Sequence, residues 1–451
     1  MGYLLIILTN FIYLPALKFG LVSDDAAALQ AKPFNVGRAK ITSVALHLMV
    51  AEYIYFAFGC SNAALISALL FSVHPMTVQI SCWKSGEHYG LNALVLLLII
   101  AFPFMFPLYA FSGLSAGSII CTPFVFLFTQ YWYIALVFPV IAWFGYKKML
   151  PGIVGKVKGN EDKGGLTPAL PEDFTFHKFK WVNLVLVVKT FGYYSLACLL
   201  PIKCGFYNSF LVTLGSSKKE TDYWYSLNRH FWGGLFAMVL MATLWWFNKT
   251  NFIGMGILIF VTSLAPFLNV ITVQQQTAPR YVYLPLIGFM IAFVILLVQL
   301  PLIISASVIG ALFLFYLDRT IQVMKHYAKD NITMIMLDSQ VFPDNPRLWY
   351  FRYEHMLHKG NSLMAWAEAS YGLKHLPEDS QLWFGLAVAS FDLGDMNAAT
   401  KWLQNAETFM MLTDRQQMKG LIEEMRGRIR VKLEEKFKQK PSTPFYKGRG
   451  F

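Results

Sequence analysis

The sequence is short of charge. Lysine, arginine, aspartate and glutamate make up 14% of the 451 residues, whereas soluble globular proteins carry about 25%. The deficit is greatest in residues 1–145, which contain nine charged residues; the acids among them are Asp24, Asp25, Glu52 and Glu87. Such a stretch cannot form the surface of a water-soluble domain. The composition therefore excludes a cytosolic enzyme and an intrinsically disordered protein.

Cysteine is also scarce and shows no ligand spacing. The sequence contains no CxxC pair and hence no zinc or disulfide framework, and its five cysteines lie in or beside apolar segments, at Cys60, Cys82, Cys121, Cys198 and Cys204. We therefore predict no metal site. The net charge of +12 does not by itself indicate nucleic-acid binding, because membrane proteins collect lysine and arginine in loops and tails. We expect no nucleic-acid partner.

Long apolar runs fill the first 320 residues and predict an all-α, polytopic membrane domain. Eleven spans are expected, at about 2–22, 39–58, 62–80, 88–108, 114–129, 131–146, 181–200, 231–247, 252–270, 281–299 and 301–317. The first run has no basic segment before it, and Asn10, Pro15 and Lys18 interrupt it. We interpret it as a retained span, not as a cleaved signal peptide.

Charge in the loops predicts an orientation. The stretch from Lys147 to Lys180 carries seven lysines against four acids, which favours a cytoplasmic location for it. Six spans precede this loop, so the N-terminus is expected in the cytoplasm. Eleven spans then place everything after residue 320 on the periplasmic, extracellular or lumenal side.

A 34-residue repeat marks a second domain, expected at 321–440 and followed by a basic tail at 441–451. Several residues recur at that interval: Pro343 and Pro377, Leu348-Trp349 and Leu382-Trp383, Gly360 and Gly394, Ala365 and Ala399. This is the tetratricopeptide period, which predicts stacked helix pairs at about 343–376 and 377–411 and a capping helix near 414–438. We expect the region around Trp349 and Trp383 to bind a polypeptide acceptor.

The first candidate site is Asp24-Asp25, directly after the first span. Two adjacent carboxylates at the outer boundary could supply a general base and a partner that positions an acceptor hydroxyl or a metal. The alternative is that Asp24 or Asp25 caps a short helix formed by the following DDAAALQ segment.

The second candidate is FSVHPMTVQISCWKSGEH at the end of the third span, which contains His74, Lys84, Glu87 and His88. A cation and a carboxylate in a short outer loop could hold a phosphate and orient its neighbours. The alternatives are a Lys84–Glu87 ion pair that closes a hairpin, and a His74 side chain that packs helices together.

The third candidate is Arg280, in QQQTAPRYVYLPLIGF, flanked by Tyr281 and Tyr283. A guanidinium at the membrane boundary can bind a phosphate through two parallel hydrogen bonds while tyrosines pack a lipid chain. The alternative is an interfacial anchor. A fourth region, from Pro201 to His230, carries Lys203 and Arg229 without a residue pattern that assigns them a role.

Taken in order, these segments resemble the transmembrane-and-tetratricopeptide O-mannosyltransferases of the GT-C glycosyltransferase superfamily. The resemblance rests on the DD pair after span one, ALLFSVHP in span three, Y…LLPI..GFY after span seven, and RYVYLPLIGF followed by the repeats. Where family members often have Arg-Ala-Glu, this chain has Lys84-Ser85-Gly86-Glu87. The resemblance places the enzyme in a bacterial or archaeal cytoplasmic membrane, or in the endoplasmic reticulum of a eukaryote.

The resemblance implies an inverting glycosyltransferase that moves a sugar from a polyprenyl-phosphate donor to a protein hydroxyl. Asp24 and Asp25 are then the catalytic pair, and Arg280 and Lys84 bind the donor phosphate. Supporting roles fall to His74, Glu87, His88, Tyr281 and Tyr283. Two other functions stay open: a transferase of the O-antigen ligase or polymerase type, and a non-enzymatic membrane scaffold that presents the repeats.

Overall fold

A computed structural model of the chain describes residues 1–19, 36–83, 86–105, 121–122, 124, 183–206, 227–268, 277–328, 330–410 and 415–438. Regular secondary structure within these residues is entirely helical, and no strand occurs among them. The prediction of an all-α protein is therefore confirmed at the level of class. Contacts divide the chain into two compact units, and the second one contains Pro343–Phe451.

The described helices of the first unit begin at the N-terminus and end at Val341. They are α1 (Gly2–Asn10), α2 (Val36–Ala57), α3 (Asn62–Ser72), α4 (Val78–Cys82), α5 (Glu87–Ala101), α6 (Asn183–Leu199), α7 (Arg229–Asn248), α8 (Phe252–Leu264), α9 (Pro279–Leu297), α10 (Leu302–Met324) and α11 (Asn331–Val341). Short 3₁₀ segments at Phe11–Lys18, Pro75–Thr77, Ala265–Phe267 and Lys325–Tyr327 extend or join them.

Three described helices are long and apolar enough to cross a membrane: α7, α9, and α10 with its 3₁₀ extension to Tyr327. A fourth results if α3 and Pro75–Cys82, which meet at a bend of 60°, form one span. The eleven predicted spans are therefore not shown. Five other apolar helices are shorter than 18 residues, at Gly2–Lys18, Ile41–Ala57, Glu87–Ala101, Leu184–Leu199 and Phe252–Phe267. The predicted spans at 114–129 and 131–146 lie outside the residues described, apart from 121–122 and 124. An apolar run predicts burial from water, but it does not predict where a helix breaks.

Helix α9 lies at the centre of the first unit. Of its most apolar window, 72% is buried, compared with 6% for α7. It packs against α8, α3 and α5. In contrast, α7 and α10 expose large apolar side chains such as Trp232, Phe236 and Leu314. An apolar surface of this kind requires an apolar solvent or a partner, which agrees with a membrane location.

The break between α3 and α4 is held by side chains from other helices. Proline at position 75 cannot donate a backbone hydrogen bond, so the preceding carbonyls lose their helical partners. The Ser72 carbonyl accepts from the Tyr13 hydroxyl at 3.0 Å and from His47 Nε2 at 3.3 Å. The Val73 carbonyl accepts from Thr320 Oγ1 at 2.6 Å. Side chains from three separate segments thus satisfy carbonyls that neither water nor a helix reaches.

The second unit consists of helix pairs whose contacts repeat at 34 residues. Its helices are α12 (Pro346–His358), α13 (Ser362–His375), α14 (Ser380–Asp392), α15 (Met396–Thr408) and α16 (Arg415–Lys438). The Trp349 indole donates to the Pro343 carbonyl at 2.8 Å, and the Trp383 indole donates to the Pro377 carbonyl at 2.9 Å. Gly360 and Gly394 both have positive φ, at 71° and 85°, where each pair turns.

The two tryptophans expected to bind an acceptor lie in the packing between helices. Trp349 is 1% exposed and stacks on His375 at 5.5 Å between ring centroids. Trp383 stacks on Trp402 at 5.3 Å. Trp349 packs in one cluster with Leu382 and Leu386 of α14, so its side chain is part of the core. Acceptor binding by the region around the two tryptophans stays a prediction. The buried Trp349 indole donates to the carbonyl of Pro343 in the turn before α12.

We predict that replacing Thr320 with valine destabilises the first unit. The shape is preserved, but the buried Val73 carbonyl loses its donor, which costs about 1–3 kcal/mol. Thr262→Val is the matched control: the Thr262 hydroxyl donates to Leu258 of its own helix, a carbonyl that the helix already satisfies, so a change within about 0.5 kcal/mol is expected. Thermal unfolding in detergent measures both variants. Equal melting temperatures would contradict this account of the break.

Gly394→Ala tests the turn of the second helix pair. A side chain at positive φ is strained, so the substitution should destabilise the α14–α15 pair by about 1 kcal/mol. Gly420→Ala serves as the control, because Gly420 lies within α16 with open space around the added methyl group and should gain helix propensity. Hydrogen exchange of peptides from residues 380–408 reports the change. Unaltered exchange in Gly394→Ala would show that the turn is not strained by a side chain.

Candidate functional site

Arg280 lies at the N-terminus of α9, where α4 meets it. The first backbone N–H groups of a helix have no partner within the helix. The Arg280 N–H donates to Gln79 Oε1 at 2.9 Å. Gln79 reaches this position because the bend after Ser72 redirects the chain into α4. The helix break therefore places a polar side chain of α4 beneath the start of the central helix.

Aromatic rings orient the Arg280 guanidinium. Its Cζ lies 5.3 Å from the ring centre of Trp83 and 4.7 Å from that of Tyr281. It donates to the Tyr281 hydroxyl at 3.2 Å and also pairs with the Tyr89 hydroxyl. Tyr281 is itself fixed by stacking on Phe267, with the ring centroids 4.5 Å apart. A cation held between ring faces keeps its planar donors in a defined direction.

Two more polar groups near Arg280 are buried and unsatisfied. Among the described residues, Gln79 Nε2 and the Tyr327 hydroxyl have no hydrogen-bond partner. Gln79 is 1% exposed and Tyr327 is fully buried. Tyr327 also lies within electrostatic range of Arg280. An unpaired buried donor costs free energy in the absence of a ligand. Together with the guanidinium, these donors could bind an oxygen-rich anion.

Glu87 and His88 have contacts of their own at the start of α5. Glu87 Oε1 accepts from the Thr42 and Ser43 hydroxyls of α2, the latter at 3.0 Å. These contacts join α5 to α2. His88 is exposed, and its ring lies 4.1 Å from the Tyr89 ring. The predicted partner Lys84 lies outside the described residues, as do the predicted catalytic residues Asp24 and Asp25.

His74 and Tyr283 stabilise helix packing and do not face the Arg280 site. Both ring nitrogens of the buried His74 are used: Nε2 donates to the Cys198 carbonyl at 3.1 Å, and Nδ1 accepts from the Met76 N–H at 3.3 Å. Tyr283 is fully buried, with its hydroxyl 2.9 Å from His47 Nδ1. That these two residues support a donor site stays a prediction. Their polar atoms are used by the helix break and the bundle core.

An apolar groove opens between α6, α7, α8 and α9. It has a volume of about 1000 Å³ and is walled by residues such as Leu196, Leu240, Phe260, Phe289 and Phe293. Gly192 and Gly234 bring α6 and α7 into backbone contact: a methyl group on Gly192 would lie 2.5 Å from the Gly234 Cα. A long, nearly unbroken apolar wall suits a hydrocarbon chain.

Three basic side chains line the groove: Lys203, Arg229 and His230. Lys203 is three residues before Phe206, whose ring lies 5.2 Å from Trp83, and Arg280 lies over Trp83. Residues 201–206 therefore connect the groove with the aromatic rings that orient Arg280.

Sequence patterns did not identify the residues that hold Arg280. Gln79, Trp83 and Tyr89 become relevant only because α4 bends beneath α9. A glutamine inside the apolar run VQISCW is the one local signal, since an amide in an apolar helix needs a partner. The basic residues of the groove were named from the sequence as part of the region from Pro201 to His230, without a role. Arg229 and His230 follow the cap residue Asn228 at the start of α7, close to the predicted start of the span at 231–247.

No group of three or more histidine, cysteine, aspartate or glutamate side chains with metal-binding geometry occurs within the ranges that the structure describes. No protein-family model, no curated protein and no solved structure matches the chain.

Proposed function

We propose that the protein is an integral-membrane glycosyltransferase that takes a sugar from a polyprenyl-phosphate donor. The proposal is supported by the apolar groove, whose lining includes the basic side chains Lys203, Arg229 and His230. Residues 201–206 connect this groove with the Trp83 ring that lies under Arg280. A lipid phosphate has two matching parts, a long hydrocarbon chain and an anionic head.

In the proposed complex, the polyprenyl chain occupies the groove and the phosphate lies toward Arg280. The guanidinium, the Gln79 amide and the Tyr327 hydroxyl are donors that suit the non-bridging phosphate oxygens. Negative charge develops on this phosphate as the bond to the anomeric carbon breaks. Donors already oriented by Trp83 and Tyr281 stabilise that charge without reorganising.

The acceptor side rests on sequence reasoning. Asp24 and Asp25 are proposed to act as base and positioning partner, and the helix pairs of the second unit are proposed to be tetratricopeptide repeats that bind a protein acceptor. An extended polypeptide suits such stacked helix pairs better than a sugar lipid does. With eleven spans, the repeats and the acceptor share the periplasmic, extracellular or lumenal side.

Arg280→Ala should weaken binding of a polyprenyl phosphate about 10- to 100-fold, because hydrogen bonds to a charged group contribute about 1.5–3 kcal/mol. Arg280→Lys should restore only part of the affinity, since the forked geometry is lost. Lys249→Ala is the control: it removes a cation from a tryptophan face, Trp246 at 5.1 Å, at the other end of α7. Affinity is measured in detergent by titration with undecaprenyl phosphate. If Arg280→Ala binds undecaprenyl phosphate with the affinity of the parent protein, Arg280 is an interfacial anchor and not a phosphate ligand.

Gly233→Trp tests the groove directly. Gly233 lines it, and the space beyond its Cα is open within 4 Å, so an indole would occupy the volume meant for the chain. Undecaprenyl phosphate should bind at least about 10-fold more weakly, because the buried apolar contact is lost. Gly310→Trp is the matched control, since Gly310 on α10 also faces open space but lies outside the groove. Equal binding by the two variants would place the lipid elsewhere.

A further inference from the structure

A buried histidine–aspartate pair lies beyond the end of α10. His326, in the 3₁₀ segment Lys325–Tyr327, places Nδ1 2.5 Å from Asp338 Oδ1 of α11. Asp338 is fully buried and His326 is 8% exposed. A carboxylate is rarely buried so completely unless it is paired with another group. Neither His326 nor Asp338 is among the residues assigned above to the proposed reaction.

The surrounding chain fixes the carboxylate. Gly205 lies against Asp338: a methyl group there would be 2.5 Å from Asp338 Oδ1. Residues 201–206 therefore close over the pair, and the same short segment carries Lys203 of the groove and Phe206. Phe206 contacts both Trp83 and Tyr327, with centroid distances of 5.2 Å and 6.1 Å. Phe206 thus connects the segment that covers the pair with the Trp83 ring under Arg280.

The geometry leaves one nitrogen of His326 available. An acceptor oxygen at Nδ1 favours the tautomer that carries its proton there, which leaves a lone pair on Nε2. Within the described part of the chain, Nε2 has no hydrogen-bond partner. His47 and His74 differ from it, because both of their ring nitrogens are bonded. A carboxylate behind an imidazole whose far nitrogen is open is the arrangement of a general base.

We propose that His326 Nε2 is the base that takes the proton from the acceptor hydroxyl, with Asp338 as its positioning residue. The inference rests on the proposed function and replaces the aspartate pair in that one role. The acceptor oxygen gives its proton to Nε2 and bonds to the anomeric carbon. The bond between that carbon and the phosphate oxygen breaks, and the lipid phosphate leaves with the electron pair. The imidazolium then returns its proton to water.

Other titratable side chains lie near the pair. Tyr327 on the same segment as His326 and Cys204 of residues 201–206 are within electrostatic range of Asp338. Arg319 of α10 is within the same range of Cys204.

The first test does not require activity. Diethyl pyrocarbonate acylates accessible, deprotonated imidazole nitrogens, and mass spectrometry of the purified full chain locates the products. We expect His326 to react, with His47 and His74 protected as matched buried controls. Asp338→Asn should change the reactivity of His326 more than that of the exposed His88. A His326 that is no more reactive than His47 would overturn its assignment as a base.

The second test follows transfer from dolichyl-phosphate-linked mannose to a serine-threonine peptide. His326→Gln should lower kcat by about 100-fold or more and leave donor binding and the KM for the peptide unchanged. Asp338→Asn should also lower kcat and leave both of these unchanged, because Asp338 acts through His326; a merely structural role would instead weaken donor binding.

The outcomes separate this inference from the proposed function on which it rests. Transfer by His326→Gln at the parental rate would overturn the role of His326 and leave the glycosyltransferase standing. Absence of both transfer and undecaprenyl-phosphate binding in the parent chain would count against the glycosyltransferase itself. Loss of transfer in His326→Gln with donor binding intact is the result that the inference requires.

Discussion

The first unit depends on satisfying the carbonyls freed where α3 breaks at Pro75. In an apolar bundle, a carbonyl without a partner costs several kcal/mol, so the break exists only because Tyr13, His47 and Thr320 converge on Ser72 and Val73. These side chains come from the N-terminal segment, α2 and α10. The break therefore couples the packing of distant segments to the direction of α4.

The direction of α4 in turn builds the polar end of the bundle. It sets Gln79 beneath the Arg280 N–H and Trp83 beneath the guanidinium. Phe206 packs on Trp83 and ties in residues 201–206, which bring Lys203 to the groove and Gly205 to Asp338. One bend thus assembles the three features that carry the proposed function: an oriented cation, an apolar groove with basic side chains in its lining, and a positioned imidazole.

Local patterns predicted the periodic part of the molecule and little of its tertiary geometry. The 34-residue interval predicted the helix pairs because Gly360 and Gly394 each end a helix through a local turn. Eleven spans are not shown among the described residues, since an apolar run does not reveal a break such as the one at Pro75. Arg280 was found because a charge in an apolar run is rare. Gln79, Trp83 and the His326–Asp338 pair were not identified, since their roles depend on contacts with residues far away in the sequence.

The proposed function requires that a lipid phosphate fills the groove and meets its basic side chains. Native mass spectrometry of the protein, purified in mild detergent from a membrane rich in ordinary phospholipids, tests this requirement. We expect one retained isoprenoid lipid that carries phosphate, which added undecaprenyl phosphate displaces at a stoichiometry of one. Retention of bulk phospholipids alone, with no displacement by undecaprenyl phosphate, would contradict it.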